Sequence, residues 1–396
     1  MYYLGFDFGT SGCRACVADK NGRPVWQQAI AAEGDALSTA FWREGLARLL
    51  RSVPLNLKPG LAGIAVDATS GTLLLTDDSM QPIGRVMPYS EPLNGPARLN
   101  KLLDNDPLGQ ASHLLTQADY INALLLGFVP PGDIHNQLKC GFDPVSLRWQ
   151  NDWLPASRRH LLRDVVPPGT ALGQIAAHWV RDYGLPAQCR IMAGTTDSIA
   201  AFLAAGTFQP GDAVTSLGST LAIKLVSPVP VQSSAHGAYS HWFGKNWLAG
   251  GASNTGGRVL RQFFEPAELA RLSLTIDPET DSAHDLYPLL EAGERFPVAD
   301  PSKLPIMSPH PSESAEWLKA LLQGIARIEL TGYRVLHELG APWPRQVLTA
   351  GGGSQNPQWM RMRERLLQVP VSRAACQEAA CGAARLAAGS GIFGPV

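Results

Sequence analysis

The sequence predicts an α/β protein of two related domains, and three observations carry that expectation. The chain runs to 396 residues, more than one hydrophobic core usually serves. Its start, "GFDFGTSGCRACVADKNGRPV" at 5–25, reads as strand, small-residue turn and strand. The stretch "AVTSLGSTLAIKLV" at 213–226 restates that design in the second half. Domains are therefore expected at 1–205 and 206–396, with the boundary within Gly206–Gly211.

The opening segment predicts a meander: strands over Tyr2–Asp7, Cys13–Asp19 and Pro24–Gln28, with Asn21-Gly22 as a tight hairpin turn. A helix over Thr39–Leu50 and a strand over Gly63–Asp67 follow. That strand leads into "VDATSGTLLLTD", which repeats the order Asp, Thr, Ser, Gly of "FDFGTSG". Residues 92–165 read as mostly helical. A strand over Cys189–Ala193 passes through "GTTD" into a helix over Ser198–Ala205. Beyond the second hairpin, "NWLAGGASNTGGRVLRQFF" predicts a strand, a glycine-rich turn and a helix. A proline-rich loop covers Pro297–Pro311, and Ser312 or Ser314 is expected to cap a long helix ending before Gly340. Its apolar stripe (Leu318, Leu321, Leu322, Ile325, Leu336, Leu339) has helical spacing. The chain closes with a strand at Gln346–Ala350, "GGGSQNP", a helix to Leu367, a strand at Val369–Ser372 and a helix from Gln377 to Ala388.

Composition narrows the function classes. Hydrophobic residues at 45% against 17% charged describe a folded protein, and the net charge is −1. The densest cationic cluster, Arg158-Arg159-His160, reads as a solvated helix face, so no nucleic-acid partner is expected. The longest apolar run, "INALLLGFVPPG", falls short of the roughly 20 residues that span a bilayer. Met1 leads directly into a strand, so no membrane association is expected and the cytoplasm is the expected compartment. The six cysteines form no disulfide framework. Cys13 and Cys16 match Cys-x-x-Cys but lie on a predicted strand, where positions three apart face opposite ways.

Turns rich in Gly, Thr and Ser leave backbone N–H groups and hydroxyls to converge on an anion, and Gly9 and Gly12 permit positive φ. Arg14 follows the first turn within reach of a phosphate. Asp7 reads either as an Asx residue closing its own turn or as a magnesium partner, since magnesium–phosphate sites take one or two carboxylates and several waters. Asp197 reads either as a helix cap or as the acceptor of a proton from an attacking hydroxyl. There is no Gly-x-Gly-x-x-Gly after the first strand, no Gly-x-x-x-x-Gly-Lys-Ser/Thr, no His-Glu-x-x-His and no Gly-x-Ser-x-Gly.

Five motifs in order resemble those of the FGGY carbohydrate kinases, within the superfamily of sugar kinases, actin and heat-shock chaperones. "FDFGTSGCRACVAD" is similar to the first phosphate motif and "GTTDSIAAFLAAG" to the first connecting helix. "VTSLGSTLAIKL" resembles the second phosphate motif, "VLTAGGGSQNPQWMRMRERLLQVPV" the adenosine motif and "EAACGAARLAAGSG" the second connecting helix. The resemblance implies two ribonuclease-H-like (actin-like ATPase) domains with nucleotide and sugar in the cleft between them. It implies ATP and magnesium, with Asp7 as the magnesium-associated catalytic aspartate and Asp197 as the general base. Gly9, Thr10, Ser11 and Arg14 fall where the γ-phosphate is held, and Gly218, Ser219 and Thr220 on the second phosphate loop. Gly256 and Gly257 fall beside the nucleotide, and Gly352, Gly353 and Asn356 at the adenine and ribose site. Asn356 before Pro357 is also a good helix cap. The connecting helices carry Ala200, Ala201, Ala204, Gly382, Ala383 and Ala387, small side chains that let two helices approach closely.

The family's Trp/Tyr-Asn-Asp-x-Arg sugar contact is represented by "PYSEPLN", with Glu91 in place of Asp. The turn "VDATSG" is similar to the short ribulose/xylulose-kinase-like branch, which makes Ser70 a sugar-facing candidate. The expected substrate-binding set is Asp7, Ser11, Ser70, Tyr89, Glu91 and Asp197. The expected activity is phosphorylation of the terminal hydroxyl of a small ketose, D-ribulose first and D-xylulose second. A nucleotide-binding switch and a catalytically weak sugar sensor stand as alternatives, and monomer or homodimer is left open.

Overall fold

Each half of the chain builds a six-stranded mixed sheet in the computed structural model, which describes residues 1–93, 95–150, 154–206 and 208–389. Asn94, Thr207, Ser390 and Gly391, which fall within the quoted motifs or the expected boundary, lie outside the described residues. The chain divides into one unit of Met1–Gly206 with Glu378–Val396, and a second of Thr207–Gln377.

In chain order the first unit holds β1 (Tyr2–Gly9), β2 (Gly12–Asp19), β3 (Pro24–Ala31), α1 (Thr39–Ser52), β4 (Leu61–Ala68), β5 (Leu73–Thr76), β6 (Pro82–Met87), α2 (Gly95–Leu103), β7 (His113–Thr116) and α3 (Gln117–Leu126). It continues through β8 (Gly132–Asp133), α4 (Ile134–Gln137), β9 (Phe142–Asp143), β10 (Arg148–Trp149), β11 (Val165–Val166), β12 (Ala171–Gln174), α5 (Ala177–Tyr183), β13 (Arg190–Thr196) and α6 (Asp197–Ala205). The second unit holds β14 (Asp212–Leu217), β15 (Leu221–Ser227), β16 (Tyr239–Phe243), β17 (Asn246–Ser253), α7 (Gly257–Phe263), α8 (Pro266–Ser273), α9 (Ser314–Glu338), β18 (Gln346–Ala350), α10 (Pro357–Leu367) and β19 (Val371–Arg373). The last helix, α11 (Ala379–Ala387), belongs to the first unit.

The first sheet runs β12-β13-β4-β1-β2-β3 and the second β16-β17-β15-β14-β18-β19. In each, an antiparallel set (the meander β1-β2-β3 in the first, β14-β15-β17-β16 in the second) is extended by two parallel strands: β4 and β13 beside β1, β18 and β19 beside β14. This is the ribonuclease-H-like order, present twice. Its cause is legible in the strands, which are nearly all apolar where both sheet faces are covered. Leu4, Phe6, Phe8, Ile64, Val66 and Ile191 are buried with Trp42 and Leu46 of α1. In the second unit α9 buries Leu318, Leu321, Leu322 and Ile325 against Leu260 and Trp359, while Tyr333 and Leu336 pack with Ile223 and Val347.

Three expectations are corrected. The segment 92–165 is not mostly helical: β7 completes a three-stranded sheet of order β6-β5-β7, and short paired strands follow. Glu313, not Ser312 or Ser314, holds the cap position of α9, and it makes no side-chain cap bond. The C-terminal helix, expected in the second domain, lies on the first sheet because glycines remove the side chains in its way. A Cβ on Gly5 would stand 2.0 Å from the Ala380 carbonyl oxygen, and one on Gly382 would stand 1.8 Å from that of Ala200 in α6. The stripe of small residues is thus a close α6–α11 approach. The six cysteines are all free and buried, Cys13 and Cys16 among them.

Candidate active site

In the first unit, β1, β4 and β13 lie side by side in parallel and their carboxyl ends gather acids. Asp7 and Asp67 are register partners across β1 and β4, and Thr195 partners Asp67 across β4 and β13. Asp197 follows as the first residue of α6. Thr196, one residue earlier, occupies the cap position without a side-chain cap bond, so the reading of Asp197 as the cap is corrected. Its Oδ1 accepts from the Ser198 backbone N–H at 2.6 Å.

Asp7 is 6% exposed. Arg14 donates from Nη1 to its Oδ2 at 3.1 Å and from Nη2 to Ser11 Oγ at 3.2 Å, while Arg14 Nε stands 3.7 Å from the Glu378 carboxylate. Burial raises the Asp7 carboxyl above its usual range, against the pull of Arg14. Asp67 is fully buried, and neither oxygen has a donor from a cation, amide or hydroxyl. Burial first, then the Asp7 and Asp197 charges, hold its carboxyl well above the usual range. A protonated Asp67 donating to Asp7 satisfies both acids. With Asp67 protonated, the Asp7 and Asp197 carboxylates stand against one guanidinium, Arg14, which leaves room for a cation. Among the described residues no group of three His, Cys, Asp or Glu side chains could hold a metal ion by itself. A magnesium–phosphate site takes one or two carboxylates from the protein, together with waters and phosphates.

Thr10 and Ser11 form the exposed tip of the β1–β2 hairpin, where Gly9 pairs with Gly12. Only Gly12 takes a positive φ, of 141°; Gly9 does not, contrary to expectation. Ser70 comes to the same strand ends because Thr69 Oγ1 donates to the Phe8 carbonyl at 3.3 Å. Tyr89 is half exposed, and Glu91 is engaged by Lys101 Nζ at 2.7 Å. Arg98 of α2 ties this loop to the Ser70 turn. Its buried guanidinium donates to the Gly71 carbonyl at 3.1 Å and 2.6 Å, to those of Glu91 and Leu93 at 2.9 Å and 3.0 Å, and also to Pro88.

The second unit holds a pocket of about 730 Å³. Gly218 and Ser219 of the β14–β15 turn, Gly257 at the start of α7, and Gly352, Gly353 and Asn356 after β18 all line it. Leu260, Phe264, Leu269 and Trp359 give it an apolar wall. Thr220 and Gly256, expected there too, are not lining residues. Gly256, at φ 140°, is pressed beneath Thr220, whose carbonyl carbon would stand 2.6 Å from an added Cβ. Asn356 caps α10, accepting from the Trp359 backbone N–H at 3.1 Å, and donates to Ser273 Oγ at 2.8 Å.

Two strands feeding this pocket are locked from behind. Thr215 and Thr349 are register partners on β14 and β18. Thr215 Oγ1 donates to Glu329 Oε1 at 2.5 Å, and Arg363, fully buried, donates to both Glu329 oxygens at 2.6 Å and 2.7 Å and to Thr349 Oγ1 at 2.7 Å. A paired, hydrogen-bonded ion pair of this kind is costly to break from one side.

Sequence reasoning missed Asp67, Arg98 and the apolar wall. Asp67 had a signal, since the repeated Asp-Thr-Ser-Gly order places two acids alike before their turns. For the others no local signal exists.

Residues 213–390 match the model of the FGGY family of carbohydrate kinases, C-terminal domain. The sequence is 21% identical to the xylulose kinase of Lactococcus lactis subsp. lactis (strain IL1403), over 99% of this chain and 88% of that protein. A solved structure described as a xyloylose kinase from Brucella ovis superposes with a TM-score of 0.84 at 20% identity, covering 98% of this chain and 90% of that one. Plasmodium falciparum glycerol kinase with ADP gives 0.79 at 16% identity, covering 98% and 88%. The family match thus covers the second part of the chain, residues 213–390, and the likeness to solved sugar-kinase structures, which runs from end to end, shows the fold.

Proposed function

We propose that the protein transfers the γ-phosphate of ATP to the terminal hydroxyl of a small ketose, a pentulose, in a magnesium-dependent reaction. The observation that carries this reading is the gathering of Asp7, Asp67 and Asp197 at neighbouring strand ends, with Arg14 and Ser11 beside Asp7. The Asp197 carboxylate takes the hydroxyl proton as that oxygen attacks phosphorus. The Gly9–Gly12 turn with Thr10, Ser11 and Arg14 holds the transferring group, whose charge grows on its outer oxygens. Asp7 is the residue that would hold magnesium, which would supply neutralisation of phosphate charge. The second unit's pocket takes the adenosine, the base against the apolar wall and the ribose near Asn356.

Ser70, Tyr89 and Glu91 are read as sugar-facing, with a Glu91 contact competing against Lys101. A relative bearing the name xylulose kinase favours D-xylulose, and D-ribulose is the other pentulose that a sugar-facing Ser70 turn would suit. A coupled assay of ADP release across ketoses, aldoses and polyols tests the reading. The expected result is fastest turnover on a pentulose. Faster turnover on glycerol than on every pentulose overturns the acceptor, and ATP hydrolysis indifferent to sugar points to a nucleotide switch. Saturable sugar binding without turnover points to a sensor.

A further inference from the structure

We propose that Arg261 is the polyphosphate-holding residue of the second unit's pocket and selects nucleoside di- and triphosphates over nucleosides. The inference rests on reading that pocket as the nucleotide site. The pocket lining is of two chemical kinds. Leu260, Phe264, Leu269, Ala270, Leu274 and Trp359 offer only apolar surface, which suits a base. The Gly218–Ser219 turn is a polar part of the lining, and among the described lining residues Arg261 is the sole charged one.

The start of α7 cannot serve the phosphates in its place. The Gly257 backbone N–H donates to the Gly218 carbonyl at 2.9 Å, and that of Arg258 donates to the Ser219 carbonyl at 3.1 Å. Both donors that would face an anion there are spent on the loop itself. The positive charge must come from a side chain, and one is already parked on the loop. Arg261 Nη2 donates to Ser219 Oγ at 3.0 Å, and its Nη1 stands 3.9 Å from where a Gly257 Cβ would be. Arg261 is exposed and Ser219 is a neutral partner, so exchanging that hydroxyl for a phosphate oxygen replaces a bond to a neutral acceptor with an ion pair. The released Ser219 hydroxyl then becomes a second donor to the same anion.

Isothermal titration calorimetry with adenosine and with ADP, on the full chain and on R261A and R261K, tests this. R261A is expected to weaken ADP about ten- to hundredfold while leaving adenosine binding unchanged. R261K, a point charge without the planar fork, is expected to retain part of the difference. Equal weakening of adenosine and ADP would make Arg261 a wall residue and overturn the proposal, as would unchanged ADP binding. A wild-type chain that binds neither overturns the nucleotide reading of the pocket, and the role of Arg261 with it. The melting temperature of R261A without ligand reports whether the fold is intact, and it is expected to equal that of the wild type.

Discussion

Of the glycines after β18, Gly352 offers the cleaner test of the nucleotide pocket. Gly353 is the less useful position, although both line the pocket. A Cβ on Gly353 would stand 2.6 Å from Leu217 Cβ and 2.7 Å from the Trp359 ring, so Gly353→Val disturbs the core before any base arrives. A Cβ on Gly352 meets nothing within 4 Å, and its φ is not positive. Gly352→Val therefore puts its methyl groups into the pocket without a clash in the empty protein.

The magnitude follows from linkage. With magnesium-ADP at a hundred times its dissociation constant, the wild-type second unit gains about 2.7 kcal/mol, which for a unit of this size is a rise of roughly 5–11 °C in melting temperature. Overpacking costs about 1–3 kcal/mol, or roughly a five- to 150-fold loss of affinity. At the same ADP concentration the variant then keeps about 0.3–1.8 kcal/mol of stabilisation. Differential scanning calorimetry with and without nucleotide reads both quantities. Gly352→Val should melt with the wild type when empty and lose at least a third of the ADP shift. Gly353→Val should already melt lower when empty. A full ADP shift in Gly352→Val would refute the assignment of the base to this pocket.

Asp197→Asn should fold normally, because Thr196 holds the cap position, while turnover drops by roughly 10²–10⁴; Asp7→Asn should instead be partly rescued by added magnesium, and near-normal turnover of Asp197→Asn would remove it as the base. Ser70→Ala should raise the Michaelis constant for the ketose and leave that for ATP nearly unchanged, whereas an equal rise in both would place the turn outside the sugar site. Asp133, 2% exposed and capping α4 through the Asn136 backbone N–H at 2.9 Å, is pushed up to about 7 by burial and by the Asp119 charge. Its folded value lies above its unfolded one, so its contribution to stability is present below pH 4 and lost as pH climbs through 7. Asp133→Asn can still cap, so in urea unfolding it should gain on the wild type between pH 4 and 8 by roughly 4 kcal/mol at most; a difference independent of pH would refute the shift.

What the sequence disclosed was local. The two hairpins carry their own turn chemistry, the α9 stripe is buried as its spacing requires apart from a partly covered Leu339, and Asn356 with Pro357 starts α10. What it withheld depends on partners distant in the chain. The sheet of β5, β6 and β7 is made of short strands whose pairing, such as Leu73 with Thr116, leaves no periodicity to detect. The return of α11 to the first unit rests on Gly5 and Gly382, and no local rule matches two glycines so far apart. Leu260, Phe264 and Leu269 read as ordinary helix core, because a pocket wall and a core face share one spacing. The Asp7–Asp67 pair needs the parallel register of β1 and β4, which is a tertiary fact.

That register also accounts for how two copies of one sheet came to hold different chemistry. Aligning the turn Gly218-Ser219-Thr220 with Gly9-Thr10-Ser11 sets Ser216 in the place of Asp7. The register partner of Ser216 on β18 is Ala350, where the partner of Asp7 on β4 is Asp67. One sheet thus ends on a buried pair of acids, and its twin ends on a hydroxyl and a methyl group. An acid beneath a phosphate-holding turn calls for a cation between the two, and the neutral pair beneath the Gly218–Thr220 turn does not. In the second unit the pair is neutral, and the Arg261 guanidinium rests on Ser219 of the turn. In the first unit the acids remain, Arg14 balances only part of their charge, and an attacking hydroxyl and a divalent cation are the groups that acids of this kind attract. The same scaffold position therefore separates the proposed work of proton and metal handling from that of holding the nucleotide, by substitution at two register-paired residues.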